Sequence, residues 1–346
     1  MTAINKALQA VTLGDVQRFE NLHITPLLAP ASGTADYLTL AEAQEQGLAV
    51  VTEVSESGSV PTLLLENNAD QALFLLDGEE LVGAKQNRIL NLTLLVPAKT
   101  SLNIPVSCVE QGRWSHRTEA FESSERAFFS KGRARKAESV SANLRESGSR
   151  QSDQGEVWRD IDCMMLRMEV DSDTDAIADA FQQFSGSVDE YVAAFSTSET
   201  QVGACFVING KICGLELFDV SDTCGKLMPK LIRSYALDAI EERQAATPVA
   251  SPGLDEFLQQ VAAAPADSFE ALGEDEDLRI HSTTIAGGAL AARERVVHLC
   301  AFRQDTEAGS LDEGGRMRRA SARQRYRTES LNHQSLFDDL DEADGV

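Results

Sequence analysis

Val202-Gly-Ala-Cys-Phe-Val-Ile-Asn-Gly-Lys-Ile-Cys-Gly-Leu-Glu-Leu-Phe218 is the stretch on which the fold turns. Two apolar runs flank Asn209-Gly210, the strongest short signal for a two-residue type I′ hairpin loop, whose central positions both need positive φ. Pairing outward from Ile208 with Lys211 gives Phe206 with Cys213, Cys205 with Gly214, Ala204 with Leu215, Gly203 with Glu216 and Val202 with Leu217. Both faces of the hairpin are apolar, which predicts central strands covered on two sides. Glu216 then projects into an apolar layer with only Gly203 across from it, where a carboxylate must be paired, protonated or facing a cavity. A cavity with Arg233, Lys230 or Arg88 on its far side makes Glu216 a candidate acid or base; an internal salt bridge is the structural alternative.

Apolar residues at three and four spacing predict helices on both sides of this hairpin: Val157 to Met168, Thr174 to Phe184, Val188 to Phe195, Asp222 to Arg243 and Leu254 to Ala263. On the fourth of these, Lys226, Lys230 and Arg233 fall within about 60° of one another on a helical wheel. Such a basic stripe reads either as a solvated face or as an anion pocket. Pro229 either kinks that helix or marks its first turn. Three short strands, near Leu278 to Thr284, Gly288 to Ala292 and Arg295 to Arg303, close the folded part. Between Phe19 and Glu110, short leucine-rich and β-branched runs are punctuated by Gly, Pro, Asn and Asp, with helices expected at Leu8 to Gln17 and Leu40 to Gln46. The expected fold class is therefore α+β. A β-rich N-terminal half with antiparallel hairpins (1–115) leads through a partly helical, mobile connection (116–155) to a mainly helical C-terminal half (156–305). That second half contains the central β-hairpin and packs on the first. The remainder, 306–346, is Arg-rich and then acidic, and reads as a tail that is disordered unless it meets a protein partner.

A second hairpin is expected where Arg88-Ile-Leu-Asn-Leu-Thr-Leu-Leu-Val96 precedes Leu102-Asn-Ile-Pro-Val-Ser-Cys-Val-Glu110. Only an even pairing sum superposes the two apolar faces, because a one-residue slip turns a strand over. The expected pairs are Val96 with Leu102, Leu94 with Ile104, Leu92 with Val106 and Leu90 with Cys108. One further step sets Arg88 opposite Glu110 as an ion pair that either closes the core or holds a ligand. Asp77, Glu79, Glu80, Lys85, Gln86, Arg113, Trp114 and His116 cluster around the same end. Cys108 faces the stripe and reads as a core thiol.

The 346 residues hold 55 Asp plus Glu against 31 Lys plus Arg, a net charge of −24. That field repels phosphate backbones, so nucleic acid and anionic membranes are poor partners. Arginines outnumber lysines 23 to 8, favouring planar forks over point charges. With no eighteen-residue apolar run and no signal-peptide start, the chain reads as cytoplasmic. Its six cysteines include no C-x-x-C pair, and its five histidines never sit at metal-ligand spacing. Neither a metal nor a cofactor is implied: dinucleotide, Walker, zinc-protease and hydrolase-elbow motifs are all missing from the sequence.

Leu76-Asp-Gly-Glu-Glu-Leu-Val-Gly-Ala-Lys-Gln-Asn-Arg-Ile-Leu-Asn91, followed by Ile104-Pro-Val-Ser-Cys-Val-Glu-Gln-Gly-Arg-Trp114, resembles the ARG and rhodanese-phosphatase-superfamily-associated protein domain, where ARG means ADP-ribosylglycohydrolase. Gln154 to Trp158, Gly210 to Asp219 and Lys230 to Tyr235 look similar too, and the likeness spans about residues 10 to 302. The resemblance implies a neighbourhood in NAD and ADP-ribose metabolism and transfers no catalytic set. The candidate residues are Glu216 and Glu79 as acid or base, with Lys85, Gln86, Arg88, Glu110, Arg113, Trp114, Lys226, Lys230 and Arg233 for binding. Two functions compete: a protein that binds or processes a nucleotide-like small molecule, and a non-catalytic binding or scaffold protein whose charged clusters are salt bridges.

Overall fold

The computed structural model describes residues 2–30, 33–243 and 253–304. The expected tail at 306–346 lies outside them. The chain opens with α1 (Ala3–Gln9), β1 (Thr12–Leu13), β2 (Gln17–Phe19) and β3 (Leu22–Leu28). There follow β4 (Tyr37–Thr39), α2 (Leu40–Glu45), β5 (Ala49–Glu53), β6 (Thr62–Asn67), β7 (Ala72–Leu75), β8 (Glu79–Gly83), β9 (Arg88–Leu90), β10 (Leu94–Val96), β11 (Ser101–Cys108) and β12 (Ala120–Ala127). Four helices come next: α3 (Ser130–Ser147), α4 (Gln154–Arg167), α5 (Ile177–Gln183) and α6 (Ser185–Ala194). The rest is β13 (Gln201–Ile208), β14 (Lys211–Phe218), α7 (Ser221–Glu241), α8 (Leu254–Ala263), β15 (Ala266–Glu270), β16 (Glu276–Ile280), β17 (Ile285–Ala292) and β18 (Arg295–Arg303). No described helix is long and apolar enough to cross a membrane.

The expected α+β split into a β-rich first half and a mainly helical second half is overturned. The described chain is β-rich along its length, its helices lie mostly mid-chain, and its C-terminal part is strands. Nine strands form one antiparallel sheet in the order β1-β3-β13-β14-β18-β17-β16-β15, with β2 also on β3. Strands from both ends of the chain thus share a sheet. Between β3 and β13 lie a closed barrel, β11-β6-β5-β12-β8-β9, and a three-stranded sheet, β10-β7-β4. The division failed because the hairpin and the closing strands of the second half, though expected as strands, pair with one another and with β3 from the first in one sheet, a long-range choice that local periodicity does not carry. The expected helix at Leu8 to Gln17 is likewise displaced. Helix α1 ends at Gln9, and β1 and β2 take the positions beyond it.

Packing follows from this order. One face of the large sheet, through Phe206, meets α7, α6 and α3 in a cluster with Tyr235, Tyr191 and Ala137. The other face meets α1 and α8 through Leu8, Leu217 and Phe257. The barrel is filled by its own leucines, Leu63, Leu65, Leu81 and Leu90 among them, and a fourth cluster joins α4 and α5 to Phe128 and Phe129. Pro229 lies inside α7.

Helix α3 and strand β12 occupy the stretch expected as a connection. The buried face of α3 includes Arg133, Lys136, Ala137, Val140, Ser141 and Leu144, a helical stripe with two charges in place of apolar residues. Its first turn has no side-chain cap of its own. Asp238 of α7 does that work, accepting from the Lys131 amide at 3.1 Å and the Ser130 hydroxyl at 2.5 Å.

Both hairpin registers differ from the expected ones. Asn209 and Gly210 have φ of 49° and 72°, as a type I′ loop requires, and Ile208 pairs with Lys211. A bulge then leaves Cys213 over, so Phe206 faces Gly214, Ala204 faces Glu216 and Gly203 faces Leu217. In the first region the parity holds but the register is two residues short: Leu90 pairs with Val106 and Arg88 with Cys108. Leu92 does not pair with Val106, because β10 leaves the ladder for β7 and β11 turns to β6 instead.

Candidate functional site

The Arg88–Cys108 pair stands at one end of the barrel and organises its polar groups. Arg88 is 0% exposed. Its Nη1 donates to the Gln86 carbonyl at 3.0 Å, to Gln86 Oε1 at 3.1 Å and to the Asn87 carbonyl at 3.4 Å. Nε and Nη2 have no hydrogen-bond partner. The nearest carboxylate, Glu53 at the end of β5, is 4.0 Å from Nη2, and neither of its oxygens is hydrogen-bonded. Burial lowers the Arg88 pKa, outweighing the Glu53 carboxylate nearby. Lys85 is buried as well, its Nζ donating to the Glu56 carbonyl at 2.5 Å. Trp114, 48% exposed, has Lys85 Nζ 5.3 Å and the Arg88 guanidinium carbon 5.8 Å from its ring centroid. Both cations are thus within cation–π range of one indole.

The expected Arg88–Glu110 ion pair is not formed, because the two-residue shift carries Glu110 past Arg88. Arg113 takes Glu110 instead in a bidentate fork, Nε to Oε1 at 2.8 Å and Nη2 to Oε2 at 2.7 Å. Burial alone would raise the Glu110 pKa, but Arg113 and the Asn87 amide hold it below the ordinary range. Arg113 also donates to the carbonyls of Ala84 and Ser115, which leaves this pair saturated and structural. Gln86 bridges the two pairs, its amide nitrogen on the Glu110 carbonyl at 2.9 Å and its oxygen accepting from Cys108 Sγ at 3.2 Å. Burial pushes the Cys108 thiol up, with Arg88 offsetting it only in part.

The other candidates lie elsewhere. Glu216 is buried, but its counter-charge is none of the three expected: Arg133 Nη1 donates to Oε1 at 2.5 Å, and His298 Nε2 lies 3.0 Å from Oε2. Arg133 also faces Asp77 at 3.9 Å, and Asp77 pairs with Lys136. Arg279 and Asp277, 2.8 Å apart, complete a group of three cations and three carboxylates. Burial opposes the Arg133 charge, yet Glu216 and Asp77 raise its pKa above the ordinary value. The void beside this group, between Asp77 and Cys300, is about 10 Å³, the room of a single water. Glu216, His298 and Cys300 have donor atoms within 4.8 Å of one another, a set able to take a soft divalent ion. Glu216 is already committed to Arg133 there, and the atoms lacking partners, Arg133 Nε and Nη2, are donors that call for an acceptor.

Glu79 accepts from Lys230 at 2.6 Å, Ser123 at 2.5 Å and the Leu76 amide at 3.1 Å, which fills both its oxygens. The basic stripe on α7 does not converge. Lys226 goes to Glu42 and Asp222, Lys230 to Glu79, and Arg233 to Asp189. A cleft of about 1000 Å³ between α1 and the β15–β16 ribbon, lined by Ala3, Ala7, Ala10, Ala291 and Ala292, contains none of the candidate residues.

Lys85, Gln86, Arg88, Glu110, Arg113 and Trp114 are therefore brought together; Glu216, Glu79, Lys226, Lys230 and Arg233 are not. Sequence reading missed Glu53, Arg133 and Lys136. The last two were visible in principle, since Arg133, Lys136, Ala137, Val140 and Leu144 keep helical spacing. Glu53 merely ends an apolar run and carries no signal of its own.

Fold and site together define a β-rich protein in which a closed barrel with an arginine-bearing end is inserted into the strand order of a large antiparallel sheet. The chain belongs to the ARG and Rhodanese-Phosphatase-superfamily-associated Protein domain family, ARPP-1, which it matches over residues 10–302. Comparison with curated proteins and with solved structures returns no match.

Proposed function

We propose that the barrel end binds a phosphate-bearing small molecule of the nucleotide class, related to ADP-ribose or NAD. The observation that carries this reading is the free edge of Arg88: a buried guanidinium whose Nε and Nη2 form a two-donor fork with nothing on it. A phosphate presents two acceptor oxygens in the matching geometry. Charge supports the same reading: Arg113 and Arg117 share Glu110, Glu53 is the one carboxylate within 4.0 Å of Arg88 among the described residues, and the buried Lys85 adds a further cation. The exposed part of Trp114 offers an apolar plane for a base. The ARG association in the family's name points towards ADP-ribose chemistry. For the interior group around Glu216, where each cation meets a carboxylate, a structural role is the better reading.

Calorimetry of the full chain with ADP-ribose, NAD and AMP tests this. Binding to at least one of them, weakened thirtyfold or more by Arg88→Met with the fold intact, is the expected result. Silence with all three, or equal affinity in the variant, overturns the proposal.

A further inference from the structure

Glu53 is the strangest group in the barrel. Its side chain is 6% exposed, both carboxylate oxygens lack a hydrogen-bond partner, and among the described residues the one cation within 4.0 Å of it is Arg88, at that limit. That distance is too long for a hydrogen bond, and a buried carboxylate without one is costly. The fold keeps it in place all the same: the loop after β5 brings Gly58 back over the site, where an added Cβ would lie 3.2 Å from Glu53 Oε2 and from Lys85 Cδ, and 3.3 Å from the Trp114 ring.

Free acceptors on Glu53 therefore face free donors on Arg88. An anion alone satisfies only the arginine and sets its own negative oxygens against Glu53. A ligand that satisfies both must carry an acidic fork and, a few ångströms away, hydroxyl donors. Two vicinal hydroxyls match the two oxygens of one carboxylate, the logic by which an acidic residue holds ribose in dinucleotide-binding folds.

Resting on the phosphate reading of the same site, we infer that Glu53 selects ribosyl phosphates, accepting the cis-diol of a ribose whose phosphate lies on Arg88. Ribose is thereby distinguished from deoxyribose, and a sugar phosphate from inorganic phosphate. Glu53 is a specificity residue in this account, not a proton carrier.

The test needs no variant at first: titrate the full chain with ribose 5-phosphate, 2-deoxyribose 5-phosphate and inorganic phosphate, following tryptophan fluorescence or calorimetry. Ribose 5-phosphate is expected to bind tenfold or more tightly than the deoxy sugar, and inorganic phosphate weakest. Glu53→Ala should collapse the ribose preference to within twofold while improving inorganic phosphate binding, since the opposing charge is gone. Equal affinity of the wild-type protein for the two sugars overturns the selection and leaves phosphate binding at Arg88 standing. If no sugar phosphate and no nucleotide binds, both fall together.

Discussion

Arg88 and Arg133 are both 0% exposed, yet burial has opposite outcomes for them. Arg133 lies on α3 with Glu216 at 2.5 Å and Asp77 at 3.9 Å, and these charges overcome desolvation to raise its pKa. Arg88 meets backbone carbonyls, an amide and one carboxylate at 4.0 Å; desolvation wins and its pKa falls. A buried cation whose counter-charges come from the fold holds elements together. One whose counter-charge is left out of reach has capacity for something else.

The largest expected effect tests the side whose counter-charges the fold supplies. Arg133→Met takes the buried Glu216 carboxylate's cation away, leaving His298 beside it, and should destabilise by about 3–5 kcal/mol in denaturant titrations. Arg88→Met should cost about 1 kcal/mol or less, because it removes an under-paired cation. Equal losses would erase the distinction between the two arginines. The next effect is set by pH. Burial pushes the Asp238 carboxyl, the cap of α3, up to about 6 from 3.8. The folded state thus holds a proton the unfolded state has released, so the stabilisation from Asp238 is full below about pH 4 and lost as pH rises through 6. Asp77 and Glu110, held low by their cations, behave oppositely: their contribution is full above the ordinary carboxylate range and is lost in stronger acid. Stability should peak in weak acid. Asp238→Asn should remove the fall towards neutrality, on the order of 2–3 kcal/mol, in melts run from pH 4 to 8. A smaller effect sharpens the Arg88 side. Gly58 and Gly148 have φ of 75° and 72°, so alanine should cost each about 1–2 kcal/mol. Only Gly58→Ala crowds Glu53, Lys85 and Trp114, and only it should lower ligand affinity, about tenfold.

Legibility in the sequence follows the same division. Local chemistry was readable: the Asn209-Gly210 loop, the α8 span Leu254–Ala263 and the β18 span Arg295–Arg303 all stand where turn chemistry and period place them. Choices made between distant segments were not. Nothing near Leu94 says that it pairs with Leu75 and not with Ile104, and one bulge at Cys213 sufficed to move Glu216 from Gly203 to Ala204. The polar cluster from Lys85 to Trp114 was visible as a density of charge. Which acid meets which base depended on a two-residue register that alternation, with its period of two, cannot distinguish. The stretch holding α3 was read as partly helical, but its buried face was hidden for a different reason, since that stripe is written partly in arginine and lysine.

Strand β3 pairs with β13, Leu22 against Ile208, and everything that builds the barrel is threaded between them. On a ribosome adding about 5–20 residues each second, β3 emerges on the order of ten seconds or more before its neighbour exists. During that interval its apolar edge is exposed, while the barrel strands, close together in sequence, can already assemble. Synthesis rate and chaperone supply should therefore govern yield through the first thirty residues, and a truncation that ends before β13 should aggregate through β3 even where its barrel is sound.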